Sequence, residues 1–351
     1  MPSLTAMLGL ALPIVQAPMA GVQDTTLAIA VASAGGLGSV PCALLDLAQL
    51  DATLARLADA GCAANLNFFC HAMPEPDADR ERRWRDVLAP YRAEFALAAS
   101  AAAGVGLRRP IDDAVVDVLA SHRPRVVSFH FGLPPERLLR RIRAWGTCVL
   151  ATATTVDEGR WLERHGADVV IAQGVEAGGH RGHFLAPDPG GLSPTRDLVV
   201  ALRAALGCTV VAAGGIATRA DVESMLSAGA DAVQAGTAYL LCAEATTPAV
   251  HRAALARAAT AGTAITNLFT GRPARGIVNR LMHELPLLSD LPPPFPWASQ
   301  ALAPLRARAE ALGRDDFSAV WCGTRGDACR PIGAAALTRS LAGVAPAAAS
   351  V

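Results

Sequence analysis

No lysine occurs anywhere in the 351 residues, so all 31 basic residues are arginine. A Schiff-base lysine and a P-loop lysine are thereby excluded from any mechanism. Neither sign of charge is in excess: 31 arginines face 31 acidic residues, for a formal net charge of +0. Such a balance exerts no general pull on nucleic acid or an anionic membrane, and no local basic patch goes beyond short arginine pairs. An uninterrupted apolar run of about 18 residues is also missing, so no transmembrane helix is expected. The opening MPSLTAMLGLALPIVQAPM has no basic stretch ahead of its apolar part and does not read as a secretory signal. Eight cysteines, Cys42, Cys62, Cys70, Cys148, Cys208, Cys242, Cys322 and Cys329, are scattered without a C-x-x-C pair or zinc-finger spacing. They read as reduced packing thiols of a cytoplasmic protein, with no metal site. Aromatics are scarce at 5%, yet the chain is 52% hydrophobic and only 18% charged, enough to bury a large core and to exclude disorder.

Short β-branched or apolar runs alternate with Ala/Leu/Arg-rich stretches of helical period, the pattern of α/β units around a parallel sheet. Eight strands are expected: Ile14 to Met19, Leu37 to Val40, Ala63 to Phe69, Val126 to Phe131, Cys148 to Thr155, Val169 to Gly174, Thr209 to Gly215 and Ala232 to Leu240. Segments such as PPERLLRRIRAWG, TVDEGRWLERHG and TRADVESMLSAG supply the helices between them, each closed by a glycine. Gly166-Ala167-Asp168 and Gly229-Ala230-Asp231 each follow a helix and lead into a strand. A repeated unit of this kind fits a closed (β/α)8 TIM barrel better than an open doubly wound sheet, whose G-x-G-x-x-G after the first strand is missing. From about Ala243 prolines become too dense for regular barrel elements, as in TNLFTGRPARG and PLLSDLPPPFPW. The expected organisation is a barrel over 1–242, a helical and loop lid over 243–305, and closing helices with a loose Ala/Pro tail over 306–351.

In a parallel barrel, functional groups sit on the loops after the C-terminal ends of the strands. After the first strand, the small residues around Met19 allow a flat ligand to approach the backbone, or simply make an ordinary turn. After the third, Asn67 is placed to bond a heterocycle edge or to cap the next turn. The most informative stretch, Ala172 to His183, follows the sixth strand. Four glycines there permit positive φ and let amide N–H groups face a ligand, while Gln173, Glu176, His180, Arg181 and His183 supply hydrogen-bonding and titratable groups. His180 is the candidate base, with His183 the alternative. A metal pair lacks the helical H-E-x-x-H frame and a third ligand. Glycines after strands seven and eight, Gly214-Gly215 and Gly236 beside Thr237, form the place where barrels commonly cradle a phosphate on backbone N–H groups. A phosphorylated planar cofactor across the barrel mouth satisfies all of these loops at once, and FMN is the candidate, its ring edge facing Asn67 and Gln173.

Taken together, PIVQAPMAGV, AGGLGS, NLNFF, VVSFHFG, AQGVEAGGHRG, VAAGGI and VQAGTAYL resemble the nitronate monooxygenases, formerly 2-nitropropane dioxygenases, from about residue 13 to residue 340. AQGVEAGGHRG is the most specific element, whereas AAGGI and QAGT occur widely among flavin barrels. The resemblance implies an FMN-containing TIM barrel that oxidises alkyl nitronates such as propionate 3-nitronate with O2, giving a carbonyl compound and nitrite. It places the catalytic histidine on His180 and FMN contacts on Asn67, Gln173, Gly178, Gly215, Gln234, Ala235, Gly236 and Thr237, with Met19 lining the ring. With a neutral nitroalkane His180 takes the α-proton; with a nitronate it holds the anion by a charged hydrogen bond. His130, Arg181 and His183 are candidates for binding substrate, although His130 reads equally as a buried structural histidine and Arg181 as a surface side chain. FMN-dependent enoyl-acyl-carrier-protein reductases, which share an E-[AS]-G-G-H loop, and NADH:quinone reductases are the enzymatic alternatives. A non-enzymatic FMN-binding protein would not need so many groups at one mouth. The expected partners are a small-molecule nitronate and O2, and the sequence does not set the oligomeric state.

Overall fold

A computed structural model describes residues 3–98, 106–186 and 192–344; the expected loose tail from 345 onward lies outside the described residues. Eight strands form a parallel sheet: β1 (Ile14–Gln16), β2 (Ser39–Pro41), β3 (Asn65–Phe69), β4 (Val126–His130), β5 (Cys148–Ala153), β6 (Val169–Gln173), β7 (Thr209–Ala213) and β8 (Ala232–Ala235). From β2 to β8 each strand pairs with the next, and β8 pairs back onto β1. A parallel bridge between Val15 and Leu37 closes the ring, with Leu37 N–H donating to Ile14 O at 2.9 Å. The result is a (β/α)8 barrel.

Period-two alternation sorts the side chains into an inner and an outer set. Val127, Phe129, Val149, Ala151, Val170, Ala172, Val210, Ala212 and Val233 face the helices in one large core. Their neighbours Val126, Leu150, Val169, Ile171, Val211 and Ala232 fill the barrel interior, and Leu4 and Leu8 of the short helix Leu4–Leu8 join them from below. Continuing the inner rows toward the C-terminal ends of the strands, the residues become polar: Asn65 and Asn67 on β3, Ser128 and His130 on β4, Thr152 on β5, Gln173 on β6 and Gln234 on β8. The interior is therefore dry at the bottom and hydrogen-bonding at the top, which is where a barrel places its chemistry.

The repeated Gly-Ala-Asp units have a structural explanation. Gly166 and Gly229 adopt φ of 101° and 105° as the helices end, a conformation favoured by glycine. The following aspartates then clamp the start of the preceding strand: Asp168 accepts from Val149 N–H at 2.8 Å and Asp231 from Val210 N–H at 2.9 Å. Helix starts are fixed by side-chain caps from Asp24, Asp46, Asp112, Thr155 and Thr218.

Beyond residue 243 the chain is more regular than its prolines suggest. Strands Thr263–Thr266 and Ala274–Ile277 pair antiparallel, and the second of them pairs with Gly179–His180 of the loop after β6. TNLFTGRPARG is thus a hairpin whose Gly271 and Pro273 lie in the turn. Helix Ala298–Ala311 runs across the expected boundary at 305 and accommodates Pro304 internally. It packs on helix Ala78–Glu94, which follows β3, to make a second core around Trp84, Leu88, Tyr91, Leu302, Leu305 and Phe317. Trp84 is fully buried and its indole N–H donates to Ala298 O at 3.3 Å. Helix Ala334–Leu341 returns to the barrel beside helix Thr25–Ser33, where Thr338 Oγ1 bonds Tyr239 Oη at 2.9 Å. Trp84→Ala removes the largest side chain of the second core and is expected to cost about 3–5 kcal/mol. Chemical denaturation followed by far-UV circular dichroism measures the loss, and a change below about 1 kcal/mol would show that this core contributes little.

Candidate active site

Over the C-terminal ends of the strands opens a cavity of about 510 Å³. Met19, Asn67, Gln173, Gly178, Gly215, Gln234, Ala235, Gly236 and Thr237 all line it, as do His130 and His180. Every residue expected at the cofactor is therefore brought to one place. Arg181 and His183 are not among its lining residues. Arg181 is fully buried, and its Nη1 donates to Gln173 O at 3.1 Å and Gly174 O at 2.6 Å, so it braces the end of β6 instead. His183 is buried, and its carbonyl accepts from Arg272.

The floor of the cavity offers acceptors. Asn67 Nδ2 donates to Ser128 Oγ at 2.9 Å, which leaves Oδ1 for another donor. Gln234 Oε1 is buried with no hydrogen-bond partner among the described residues, a cost that a ligand N–H or O–H at this point would relieve. Gln173 is engaged at both ends: Nε2 donates to His180 O at 2.9 Å and Oε1 accepts from Gly182 N–H at 2.8 Å. Its amide holds the histidine loop.

At the phosphate-type end, Gly214 and Gly215 turn with φ of 123° and 68°, and Thr237 opens a single 3-10 turn, Thr237–Tyr239. This end also contains a segment that no sequence motif marked. Gly178 and Gly323 lie so close that a Cβ on Gly178 would sit 2.5 Å from Gly323 N. That approach brings Trp321 to Arg325 against the mouth, where Gly323 N–H donates to Thr237 Oγ1 at 2.9 Å and Thr324 N–H to Glu176 O at 3.0 Å. Arg325 lines the cavity and pairs with Asp221 at 2.7 Å. The cradle therefore has a cation close by despite the absence of lysine. Its glycines, the amide acceptors at Asn67 and Gln234 and the neighbouring arginine fit a phosphorylated heterocycle such as a flavin nucleotide.

At the other end, His180 sits in an aromatic box. Ring centroids of Phe295, Trp321, Phe131 and Phe69 lie 5.3, 5.5, 6.0 and 6.3 Å from it. Phe131 has φ of 70°, a left-handed value for a bulky residue, and is stacked beneath the Arg272 guanidinium at 3.9 Å. Burial holds the His180 pKa well below 6.5, and Arg108, His130, Arg272 and His71 add to the shift. His180 is thus a neutral imidazole at neutral pH. His130 is held down to about 3, first by burial. Its Nε2 lies 3.1 Å from His180 O, which only accepts, so Nε2 carries the proton and Nδ1 accepts from Thr152 Oγ1 at 3.1 Å. His130 lines the cavity, yet both ring nitrogens are committed to the protein. Arg108 and Arg306 also line it, close enough for Arg306 to lower the Arg108 pKa. These two were not legible as site residues, since neither stands in a motif nor follows a barrel strand directly.

A histidine loop facing a glycine cradle across such a mouth is the arrangement of a (β/α)8 oxidoreductase. The sequence profile described as "Nitronate monooxygenase" matches residues 1–342. A nitronate monooxygenase from Pseudomonas aeruginosa is 41% identical over 344 residues, covering 96% of this chain and 97% of its own length. The chain belongs to the nitronate monooxygenase family, which is flavin-dependent in general. Among solved structures, nitroalkane oxidase from Streptomyces ansochromogenes superposes with a TM-score of 0.87 at 38% identity, covering 97% of both chains. FabK from Thermotoga maritima shares the fold at a TM-score of 0.70 and 24% identity, covering 97% of this chain and 95% of its own. Among the described residues no helix is long and apolar enough to cross a membrane, and no group of three His, Cys, Asp or Glu is placed to hold a metal.

The buried imidazoles make stability depend on pH. His71 and His251 are held to about 4 and His130 to about 3, each chiefly by burial, against 6.5 when exposed. The unfolded chain therefore takes up protons first, so this contribution is complete above 6.5 and is lost as the pH falls toward 4. Near about pH 5 each group accounts for about 2 kcal/mol. Urea midpoints measured across this range are expected to fall steadily with acidification, and a flat profile would refute the neutral-imidazole assignment.

Proposed function

We propose that the chain binds FMN in this cavity and oxidises alkyl nitronates, such as propionate 3-nitronate, with O2 to a carbonyl compound and nitrite. The observation that carries the reading is the electrostatic composition around His180. Arg108 and Arg306 line the cavity, and Arg272 adds a third positive charge next to the histidine. No described carboxylate forms an ion pair with Arg108 or Arg306; Glu310, which also lines the cavity, accepts instead from Ser318 Oγ at 2.8 Å. Uncompensated cations in a partly buried cavity favour an anionic ligand.

FMN, when bound, supplies the redox chemistry with the substrate and O2. Gly215, Gly236 and Thr237 would hold its phosphate end, aided by the nearby Arg325, while Asn67 and Gln234 would meet the polar edge of its ring, with Met19 against the ring. His180 orients the reacting group. An incoming nitronate opposes the positive field of the arginines, so His180 takes a proton together with the anion and holds it by a charge-assisted hydrogen bond. With a neutral nitroalkane the same imidazole, already unprotonated, is ready to remove the α-proton. Phe69, Phe131, Phe295 and Trp321 around the imidazole limit the access of water to His180.

Purified protein is expected to be yellow and to release FMN on acid treatment. Anaerobic propionate 3-nitronate is expected to change the flavin spectrum, and air then to yield nitrite. Rapid bleaching by NADH with no response to the nitronate would overturn the proposal in favour of a reductase. Arg108→Gln and Arg306→Gln are each expected to raise KM for propionate 3-nitronate about tenfold, equivalent to ~1.4 kcal/mol, with kcat little changed. Steady-state nitrite release measures both constants, and an unaltered KM in both variants would remove the arginines from substrate recognition.

A further inference from the structure

The neutral state of His180 raises the question of which ring nitrogen carries its single proton, because only the other can act as a base. Thr270, buried in the turn of the hairpin formed by Thr263–Thr266 and Ala274–Ile277, answers it. His180 Nε2 lies 3.0 Å from Thr270 Oγ1. The threonine hydroxyl in turn donates to Arg272 O at 3.3 Å. A carbonyl oxygen can only accept, so with the hydroxyl proton directed at Arg272 O, Thr270 offers His180 a lone pair. In that arrangement Nε2 is the protonated nitrogen and Nδ1 carries the free electron pair. Nδ1 hydrogen-bonds to no described residue, while the His180 side chain lines the cavity.

The framework around this contact is rigid. Ala274 is the register partner of His180 in the small sheet, and Arg181 N–H donates to Pro273 O at 2.9 Å, so histidine and threonine belong to one antiparallel structure. Gly271, at φ of 82°, lets the turn press against the Pro293 carbonyl, where a Cβ would lie 2.1 Å away. The His180 main-chain carbonyl is held independently by Gln173 Nε2 and His130 Nε2. Backbone position is thus set by two donors, and ring orientation by Thr270.

We propose that Thr270 is a positioning residue that holds His180 as the Nε2–H tautomer and so makes Nδ1 the atom that accepts the α-proton of a neutral nitroalkane. The inference rests on the reading of His180 as the base of a nitroalkane- and nitronate-oxidising site. In the step, the α C–H bond breaks, its electron pair becomes part of the C=N bond of the nitronate, and the proton moves to Nδ1. The resulting imidazolium keeps its Nε2–H on Thr270 and faces the anion it has made. A preformed nitronate bypasses this step, so Thr270 matters more for nitroethane than for ethyl nitronate.

The test uses the FMN-loaded enzyme with ¹⁵N-labelled histidine. The native protein and Thr270→Ser are expected to show a His180 resonance pair with a proton on Nε2 and none on Nδ1, whereas Thr270→Val, of similar shape but without the hydroxyl, loses that pattern. In parallel, Thr270→Val is expected to lower kcat with nitroethane by about tenfold or more, as follows when a catalytic imidazole loses the group that fixes its tautomer. Turnover of ethyl nitronate is expected to fall markedly less than that of nitroethane, and Thr270→Ser to restore nitroethane turnover. A proton on Nδ1 in the native enzyme, or a Thr270→Val enzyme unchanged in both resonances and nitroethane kcat, would overturn the proposal. Failure of the underlying reading looks different: His180→Asn would then retain nitroethane turnover, whatever tautomer the resonances report.

Discussion

Two backbone pairings, Gly179 with Arg275 and His180 with Ala274, distinguish this barrel mouth from a plain set of βα loops. A glycine-rich loop is free to wander, because each glycine enlarges its range of backbone conformations. Pairing the middle of that loop to a hairpin from 90 residues downstream removes the freedom at the residue where chemistry needs it least. The other contacts build on this anchor. Gln173 and His130 find the His180 carbonyl because the strand pairing points it toward them, and Thr270 meets the ring because its hairpin is the partner strand's own turn.

Electrostatics follows from how these parts are buried. The cavity draws its positive charge entirely from guanidinium groups, which stay charged where an ammonium would more readily give up its proton. Around them the histidines remain neutral, held so by burial and by the arginines themselves. Hydrogen bonding and charge are thereby divided between residue types: the imidazoles act as directional donors and acceptors, and the arginines supply the field. Arg181 illustrates the other use of a buried guanidinium, since it is spent on the carbonyls that end β6.

Much of this organisation was legible in the sequence, and what was legible had a local signature. The eight barrel strands were visible because apolar runs and helical periods alternate, though their C-terminal bounds run long: Leu240 was expected to end β8, which stops at Ala235, because glycine and a 3-10 turn interrupt the apolar run. The cavity-lining residues at the cofactor end were legible because strand ends and glycines mark them. Arg181 and His183 follow His180 closely in sequence, but neither lines the cavity: Arg181 is turned to the carbonyls that end β6, and His183 is buried. Thr270, Arg108, Arg306 and the Gly323 segment left no signature, since their positions depend on packing between segments far apart in sequence. Gly323 in particular matters through the absence of a side chain next to Gly178, which only the folded chain reveals.

The cap that carries this distant packing is stitched from two pieces, with Trp84 reaching Ala298 across 214 residues of chain. A growing polypeptide completes all eight barrel strands before the helix that begins at Ala298 has been made. Contacts of such long sequence separation form late. The nascent barrel therefore passes through a stage in which the glycine cradle exists and its roof does not. The wall of the cavity contributed by residues beyond Ala298, among them Arg306, Trp321 and Gly323, is thus the last part of the mouth to be synthesised.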